Sequence, residues 1–279
     1  MVANGPLFCL PKPGQPGQWR ILSDMRRGRQ NEAIGPDPTV FPKPGVILEQ
    51  MFTGGWPAVV DASKFFYQFS THPEDRPYLG LRHPITDVLY AYGGLPMGAG
   101  SSPCLASRYG LSLLRMLREQ CRLFQGKPRA NCWWTGFSEI GFDPALGHGF
   151  ILESETGPAV KIWVWIDDFL IHGPTFEKAT AALTFFLDTT VKIGMLCHPK
   201  KLTPPSQVVK YCGFIFDTTG IPCLRIPVAK RERAYAITKH LITAPPTRSW
   251  SRLSLAVAAG ILESMVKATP RRIGHTYLR

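Results

Sequence analysis

Val164-Trp165-Ile166-Asp167-Asp168-Phe169-Leu170-Ile171 is an apolar run broken by two adjacent carboxylates. Val, Ile, Trp and Phe favour strands. Asp is disfavoured in strands and costly to bury unless it is paired or holds a metal. The stretch predicts a tight hairpin, spanning about 161–172, with acid groups at its tip. Taken alone, it is also what a solvated turn looks like. A second run, Val59-Val60-Asp61-Ala62-Ser63-Lys64-Phe65-Phe66, closes its apolar part on another carboxylate. Set side by side, the two runs bring Asp61, Asp167 and Asp168 together. Clustered carboxylates repel, and divalent cations relieve that repulsion. Two such ions, roughly 3.5–4 Å apart, serve in-line phosphoryl transfer.

Outward from these runs, the pattern alternates strands and helices. Gln18–Leu22 reads as a short strand after a Pro- and Gly-rich loop, and residues 24–45 read as irregular. Val46–Phe52 is a short helix candidate, Ala58–Asp61 a core strand and Ser63–Gln68 a turn or short helix. Tyr78–Arg82 and Val88–Tyr92 read as strands around a turn. The loop Gly93–Gly100 precedes a helix for which Ser102 is the expected N-cap and Pro103 the first residue. Leu105, Tyr109, Leu113, Leu117 and Cys121 recur at four-residue steps along it, to about Leu123. Residues 125–158 lack a helical period and read as an insertion with one hairpin. Thr175 is expected to cap a helix with Phe176, Ala179, Leu183 and Phe186 on one face, ending at Gly194. Val208–Phe216 is apolar, and two helices are expected at about 228–243 and 250–267, split by Pro245-Pro246. The order predicts an α+β layer, a sheet carrying the carboxylates with helices behind it.

The 279 residues carry 32 Lys and Arg against 20 Asp and Glu, a net +12, which suits a polyanionic partner. At 44% hydrophobic residues the chain has material for a sizeable core, which argues against wholesale disorder. Its seven Cys form no C-x-x-C pair and read as small buried hydrophobes of a reducing compartment, not as a zinc or disulfide framework. No apolar run is long enough to suggest a transmembrane helix, and Pro6, Pro11, Pro13 and Pro16 break any leader-like apolar helix. An intracellular, non-membrane protein is expected.

With these residues in hand, the chain resembles the reverse transcriptases of retroelements over about residues 5–220. Trp19-Arg20-Ile21-Leu22-Ser23-Asp24-Met25-Arg26 looks like the fingers motif W-R-x-x-x-D-x-R. Asp61 with Phe66 looks like motif A. Leu95-Pro96-Met97-Gly98 through Ser102-Pro103 looks like motif B. Trp165-Ile166-Asp167-Asp168 looks like motif C, usually Y-x-D-D. Gly194-Met195-Leu196 to Lys201 looks like motif D, and Tyr211-Cys212-Gly213-Phe214 like the primer-grip hairpin, motif E. Each motif alone is weak, and six in order are strong. The tail, Leu224-Arg225-Ile226-Pro227 and Leu253 to Gly260-Ile261-Leu262, resembles DIRS-like tyrosine-recombinase retrotransposons, with gypsy-like LTR elements as the runner-up.

The resemblance implies a right-hand polymerase: fingers and palm over 1–224, the antiparallel palm sheet backed by helices, and a partial helical thumb over 225–279. It implies RNA-directed DNA synthesis on an RNA or DNA template-primer from dNTPs. Asp61, Asp167 and Asp168 would hold two Mg²⁺, with Mn²⁺ as a substitute. Lys12 and Arg20 would neutralise nucleotide phosphates. Ala62, Phe65, Phe66, Met97 and Gly98 would line the nucleotide site, with Phe66 excluding a 2′-OH. Only one of the adjacent Phe65 and Phe66 can face the site. Met97 either packs on the nucleotide or fills space. Lys201, or equally Lys200, would protonate the leaving pyrophosphate. Tyr211, Cys212 and Gly213 would grip the primer. Asp24 is expected to pair with a nearby base.

Three features depart from the family pattern. Trp165 replaces the usual Tyr, Asn31 lies seven residues after Asp24 where five is usual, and the insertion at 125–158 is extra. No acidic set for a ribonuclease H site follows, so that activity is expected elsewhere in a longer polyprotein. The competing reading is a catalytically inactive, polymerase-like nucleic-acid-binding domain.

Overall fold

The computed structural model, which describes residues 4–12, 16–34, 41, 43–83, 85–124, 137–139, 149–154, 157–243 and 250–266, sets the two carboxylate-bearing runs side by side. Strands β1 (Asn4–Gly5), β2 (Leu7–Pro11) and β3 (Trp19–Ser23) precede helices α1 (Gln30–Ile34) and α2 (Pro44–Glu49). Strand β4 (Trp56–Asp61) leads into a 3-10 turn at Phe65–Gln68, then β5 (Gly80–Arg82), β6 (Leu89–Ala91) and the long helix α3 (Ser102–Phe124). Strands β7 (Phe137–Glu139), β8 (Gly149–Ser154), β9 (Gly157–Trp165) and β10 (Asp168–Gly173) come next, then α4 (Phe176–Lys192). The chain ends its described part with β11 (Val208–Tyr211), β12 (Phe214–Asp217), β13 (Cys223–Arg225), α5 (Val228–Thr243) and α6 (Arg252–Val266).

The central sheet has the order β4-β10-β9-β8-β7, with every pair antiparallel. Its inner strands read as continuous apolar runs because both faces are covered. Ala58 and Val60 on β4, Ile162 and Val164 on β9, and Phe169 and Ile171 on β10 meet Leu113, Leu117, Phe185 and Phe186 of α3 and α4. The alternate residues Val59, Trp163 and Leu170 face the other way and pack on Ile47, Tyr211, Phe214 and Phe216. Period-two alternation thus fills two cores with one sheet. Truncating a side chain such as Phe186, fully buried in the first core, costs about 3–5 kcal/mol.

Smaller sheets flank this body: the hairpin β2-β3, the β1-β5-β6 sheet and the β11-β12-β13 sheet. Among the described residues no helix is long and apolar enough to cross a membrane.

Several expectations change. Residues 24–45 are not all irregular, since α1 and the start of α2 lie there. Strands β7 and β8 of the insertion extend the central sheet through pairing to β9; the rest of 125–148 lies outside the described residues. Ser102 is the first helical residue of α3, and its hydroxyl donates to the Pro96 carbonyl. Thr175 caps α4 as expected, its hydroxyl accepting from the Lys178 N–H at 3.3 Å, but Phe176 is largely exposed and packs edge-on against Trp56. Tyr109, on the expected apolar face of α3, is half exposed and stacks on Phe69. Cys9 and Cys223 are exposed, not buried.

Candidate active site

Asp61 ends β4 and Asp168 begins β10, and the antiparallel register pairs them directly. Directly opposed residues share a face, with Cβ atoms about 5 Å apart. By strand parity that face is the one carrying Val59 and Leu170, toward β11 and β12. Two like charges so placed repel. Asp167 sits between β9 and β10 in a two-residue turn, Ile166-Asp167. Ile166 has φ +56°, and Asp167 is not in the left-handed region. That sign pattern is the type II′ hairpin turn, whose first position favours glycine. A β-branched residue there is strained by about 1–3 kcal/mol. Sheet pairing on both sides of the turn holds it in place.

Burial and mutual repulsion are visible in the acids. Burial, then Asp167 and Asp61, push the Asp168 carboxyl up to about 7. Burial also raises Asp167, with Asp61 adding to the rise and Lys201 and Arg20 opposing it. Lys201 Nζ donates to Asp61 Oδ2 at 2.8 Å. Lys201 stands at the end of a 3-10 turn, Pro199–Lys201, in a segment that runs along the free edge of β4. The backbone fastens it there, because the His198 N–H donates to the Asp61 carbonyl and Val59 and Thr203 exchange bonds. Of the two lysines left open by the sequence, Lys201 is the one at the carboxylates.

Arg20 acts electrostatically on both Asp167 and Tyr67, which puts its guanidinium on the site side of the β2-β3 hairpin. Lys12 lies in the same hairpin, its Nζ donating to Gln18 Oε1 at 3.2 Å. Gly98 has φ +116°, and a Cβ there would lie 2.3 Å from the Ser23 carbonyl oxygen. Met97, beside it, is half-buried. Phe66 is half-buried at the edge of the first core, and its carbonyl accepts from the Leu95 N–H, joining motif A to motif B. Asp24 accepts from the Arg26 and Arg27 N–H groups and lies near both guanidinium groups; the Arg27 N–H bond first, then the Arg26 N–H bond and the two charges, hold its carboxyl below the usual range.

Three expected site residues are corrected. Phe65 is 2% exposed and packs edge-on against Phe69 and Phe169, so it belongs to the core. Ala62 is also buried, and its N–H donates to the Asp167 carbonyl at 2.7 Å, which stitches β4 to the turn and leaves no side-chain contact for a nucleotide. Tyr211 is buried in the second core, and its hydroxyl donates to the Asp168 carbonyl at 3.3 Å. Only Cys212 and Gly213 stand at the tip of that hairpin.

Other contacts escaped the sequence reading, two of them made by residues that stood out only as departures from the family pattern. Gln68 donates to the Ser63 and Leu196 carbonyls and accepts from the Leu196 N–H, tying motif A to motif D. Trp165 stacks on Phe41 at 4.6 Å, giving the departure from Tyr a packing partner. The Asn31 side chain bonds the motif B loop at Gly98 and Gly100. The bonds from Gln68 to Leu196, from Trp165 to Phe41 and from Asn31 to Gly98 and Gly100 have no local signal, because those partners are far away in sequence. A cleft of 1070 Å³ lies behind the motif B loop, between Gly28–Gln30 and Leu105 and Tyr109 of α3, and none of the three carboxylates lines it.

Among the described residues, no group of three or more His, Cys, Asp or Glu side chains is placed so as to hold a metal ion, so the three carboxylates do not form a ready-made cluster. The donor set still suits a hard divalent cation: oxygen ligands only, two of them directly opposed, with raised proton affinity.

The family described as reverse transcriptase (RNA-dependent DNA polymerase) matches residues 10–216 of this chain. The chain belongs to that family. It is 28% identical over 217 residues to the Gag-Pro-Pol polyprotein of Squirrel monkey retrovirus, a match that spans 76% of this chain and 9% of that one. Its fold matches the foamy viral protease-reverse transcriptase in complex with double-stranded DNA, with a TM-score of 0.61 at 16% identity, covering 94% of this chain and 36% of that one. The same viral protein in complex with an RNA/DNA hybrid gives a TM-score of 0.56 at 15% identity, covering 94% of this chain and 27% of that one. At that identity the likeness is one of fold: a right-hand polymerase, α+β, as the motif order implies. This reverse transcriptase chain spans only a small part of the polyprotein and about a third of the foamy viral chain.

Proposed function

We propose that the chain is the RNA-directed DNA polymerase of a retroelement, extending a primer 3′-OH with dNTPs on an RNA or DNA template. One observation carries this reading: a family member has Asp61 and Asp168 as direct register partners, with Asp167 held beside them in a strained turn. Asp61, Asp167 and Asp168 would hold two Mg²⁺, or Mn²⁺ in their place. When bound, the ions acidify the primer hydroxyl and take up charge on the leaving pyrophosphate. Arg20 and Lys12, on the hairpin above the site, bind triphosphate oxygens. Phe66 lies beside the sugar and disfavours a 2′-OH, and the Gly98 backbone approaches the nucleotide closely. Lys201, released from Asp61, donates a proton to pyrophosphate. Cys212 and Gly213 steady the primer end.

Residues 1–224 form the fingers and palm in this reading, and 225–279 a partial thumb. The tail resemblance supports a DIRS-like element, with a gypsy-like one as alternative. The match to a short stretch of a Gag-Pro-Pol polyprotein supports a longer parent with ribonuclease H elsewhere. The site of action is intracellular.

The inactive binding module has one observation in its favour: Lys201 already occupies Asp61 Oδ2. Extension of a DNA primer on an RNA template, with Mg²⁺ and either dNTPs or NTPs, decides. Extension with dNTPs that Asp167→Asn abolishes is the expected result. No extension, alongside tight primer-template binding, selects the binding module.

A further inference from the structure

The loop that carries Met97 and Gly98 has few bonds of its own. Ala99 N–H reaches the Pro96 carbonyl only at 3.4 Å, Ser102 N–H reaches the Ala99 carbonyl at 3.2 Å, and the Ser102 hydroxyl donates to the Pro96 carbonyl at 2.8 Å, which leaves Gly98 and Gly100 unbonded from within the loop. Gly98 sits at φ +116° in no strand. What holds Gly98 and Gly100 comes from the other side of the cleft. Asn31 Nδ2 donates to the Gly98 carbonyl at 3.0 Å, and Asn31 Oδ1 accepts from the Gly100 N–H at 2.8 Å. One carboxamide therefore closes a ring over three loop residues, using both its donor and its acceptor. The Ser23 carbonyl presses on Gly98 from the same side.

Asn31 is itself anchored. Its N–H donates to the carbonyl of Met25, whose side chain is buried. Its neighbour Gln30 is buried and donates to the Gly80 carbonyl at 3.2 Å. Asp24 N–H donates to the Pro6 carbonyl. The seven-residue route from Asp24 to Asn31, two longer than the family pattern, turns through Arg29 at φ +59° and delivers the carboxamide to the loop.

We propose that Asn31 is a positioning residue for the incoming nucleotide, clamping Gly98–Gly100 so that Met97 and Gly98 hold one conformation against it. This rests on the polymerase reading above. The clamp acts on nucleotide binding, not on the carboxylates, and leaves primer-template binding to other surfaces.

The test uses the full chain with Asn31→Leu, Asn31→Asp and Asn31→Gln. Leu keeps the size and loses both bonds. Asp keeps the acceptor but sets an oxygen against the Gly98 carbonyl. Gln keeps both groups on a longer arm. In Asn31→Leu, amide exchange at Gly100 speeds up about tenfold or more, while β9 and β10 keep wild-type protection. The KM for dNTP rises about tenfold with kcat changed less than about threefold, the loss of two hydrogen bonds. Primer-template Kd stays at the wild-type value. Asn31→Asp is worse than Asn31→Leu, and Asn31→Gln recovers part of the KM. An active wild type whose Asn31→Leu variant keeps its KM overturns the proposal. So does a variant in which KM rises, kcat falls in step and protection across β9 and β10 is lost as well, since that marks a general structural role. If the wild type extends nothing, the polymerase reading falls, and wild-type exchange at Gly100 in the variant then rules out the clamp as well.

Discussion

His172 on β10 is fully buried, yet it is a titratable side chain that the proposed chemistry does not use. Its Nε2 accepts from the Phe52 N–H at 2.8 Å, and its ring stacks on Phe52. A Cβ at Gly55 would lie 2.4 Å from His172 Cε1, so residue 55 has to be small. Burial, then the charge of Lys161, holds the imidazole down at about 3. The unfolded chain titrates near 6.5. Between those values the unfolded state binds the extra proton, so stability is whole above about pH 6.5 and falls as pH drops toward 3, at about 1.4 kcal/mol per unit. Protonation also removes the acceptor that Phe52 uses. Denaturant titrations at pH 7.5 and 4.5 test this with His172→Gln, which keeps an acceptor and cannot charge. The wild type is expected to lose about 2–3 kcal/mol more than the variant across that range. Equal losses in the two proteins would mean that His172 titrates normally in the folded state.

At the scale of elements, the two glycine turns separate two kinds of constraint. Cys212 and Gly213, at φ +49° and +76°, form the two-residue turn between β11 and β12 with the type I′ sign pattern. Nothing lies within 4 Å of a Cβ placed on Gly213, so Gly213→Ala meets only the left-handed backbone penalty, about 1–2 kcal/mol. Gly98→Ala meets that penalty and the Ser23 carbonyl at 2.3 Å, which is backbone and yields little. Chemical denaturation is expected to show Gly98→Ala as the costlier change by about 1 kcal/mol or more, and equal costs would show the motif B loop free to move away. The same contrast marks what was legible in the sequence. β4, β9 and β10 are legible because residues facing two cores leave an uninterrupted apolar run, and Asp61 and Asp168 stand out by interrupting it. The helices α5 and α6 are legible because Pro245-Pro246 splits them. A local pattern reports which residues are apolar, not what lies opposite them. It therefore leaves Phe65 against Phe66 undecided, and Lys200 against Lys201, and it hides the bond from Asn31 to Gly98 across 67 positions. Nor does it show that Tyr211, given to the primer grip by resemblance, is buried with its hydroxyl on the Asp168 carbonyl.

Charge belongs to the whole molecule. Residues 228–279 hold ten Lys and Arg against two Glu, which is most of the net +12. Among the described residues the two large cores draw nothing from this segment, since none of their members lies beyond Leu224. Its contacts with the body include Lys230 over the Phe214 ring at 4.2 Å, and Ala234 of α5 is buried. Stability and nucleic-acid affinity should therefore separate. A chain ending at Pro227 is expected to melt cooperatively, a few degrees lower, because it keeps both cores. Its primer-template affinity should fall, and so should the dependence of that affinity on salt. Each phosphate neutralised contributes about 0.9 to the slope of log K against log salt on duplex DNA. With ten basic residues removed, a decrease in slope of about 2 or more is expected if even a quarter of them meet phosphate. Titrations of both chains from low to moderate salt measure it. A slope that does not change would place the phosphate contacts on the body, with Arg20, Lys12 and the Arg26-Arg27-Gly28-Arg29 turn as the groups to remove next.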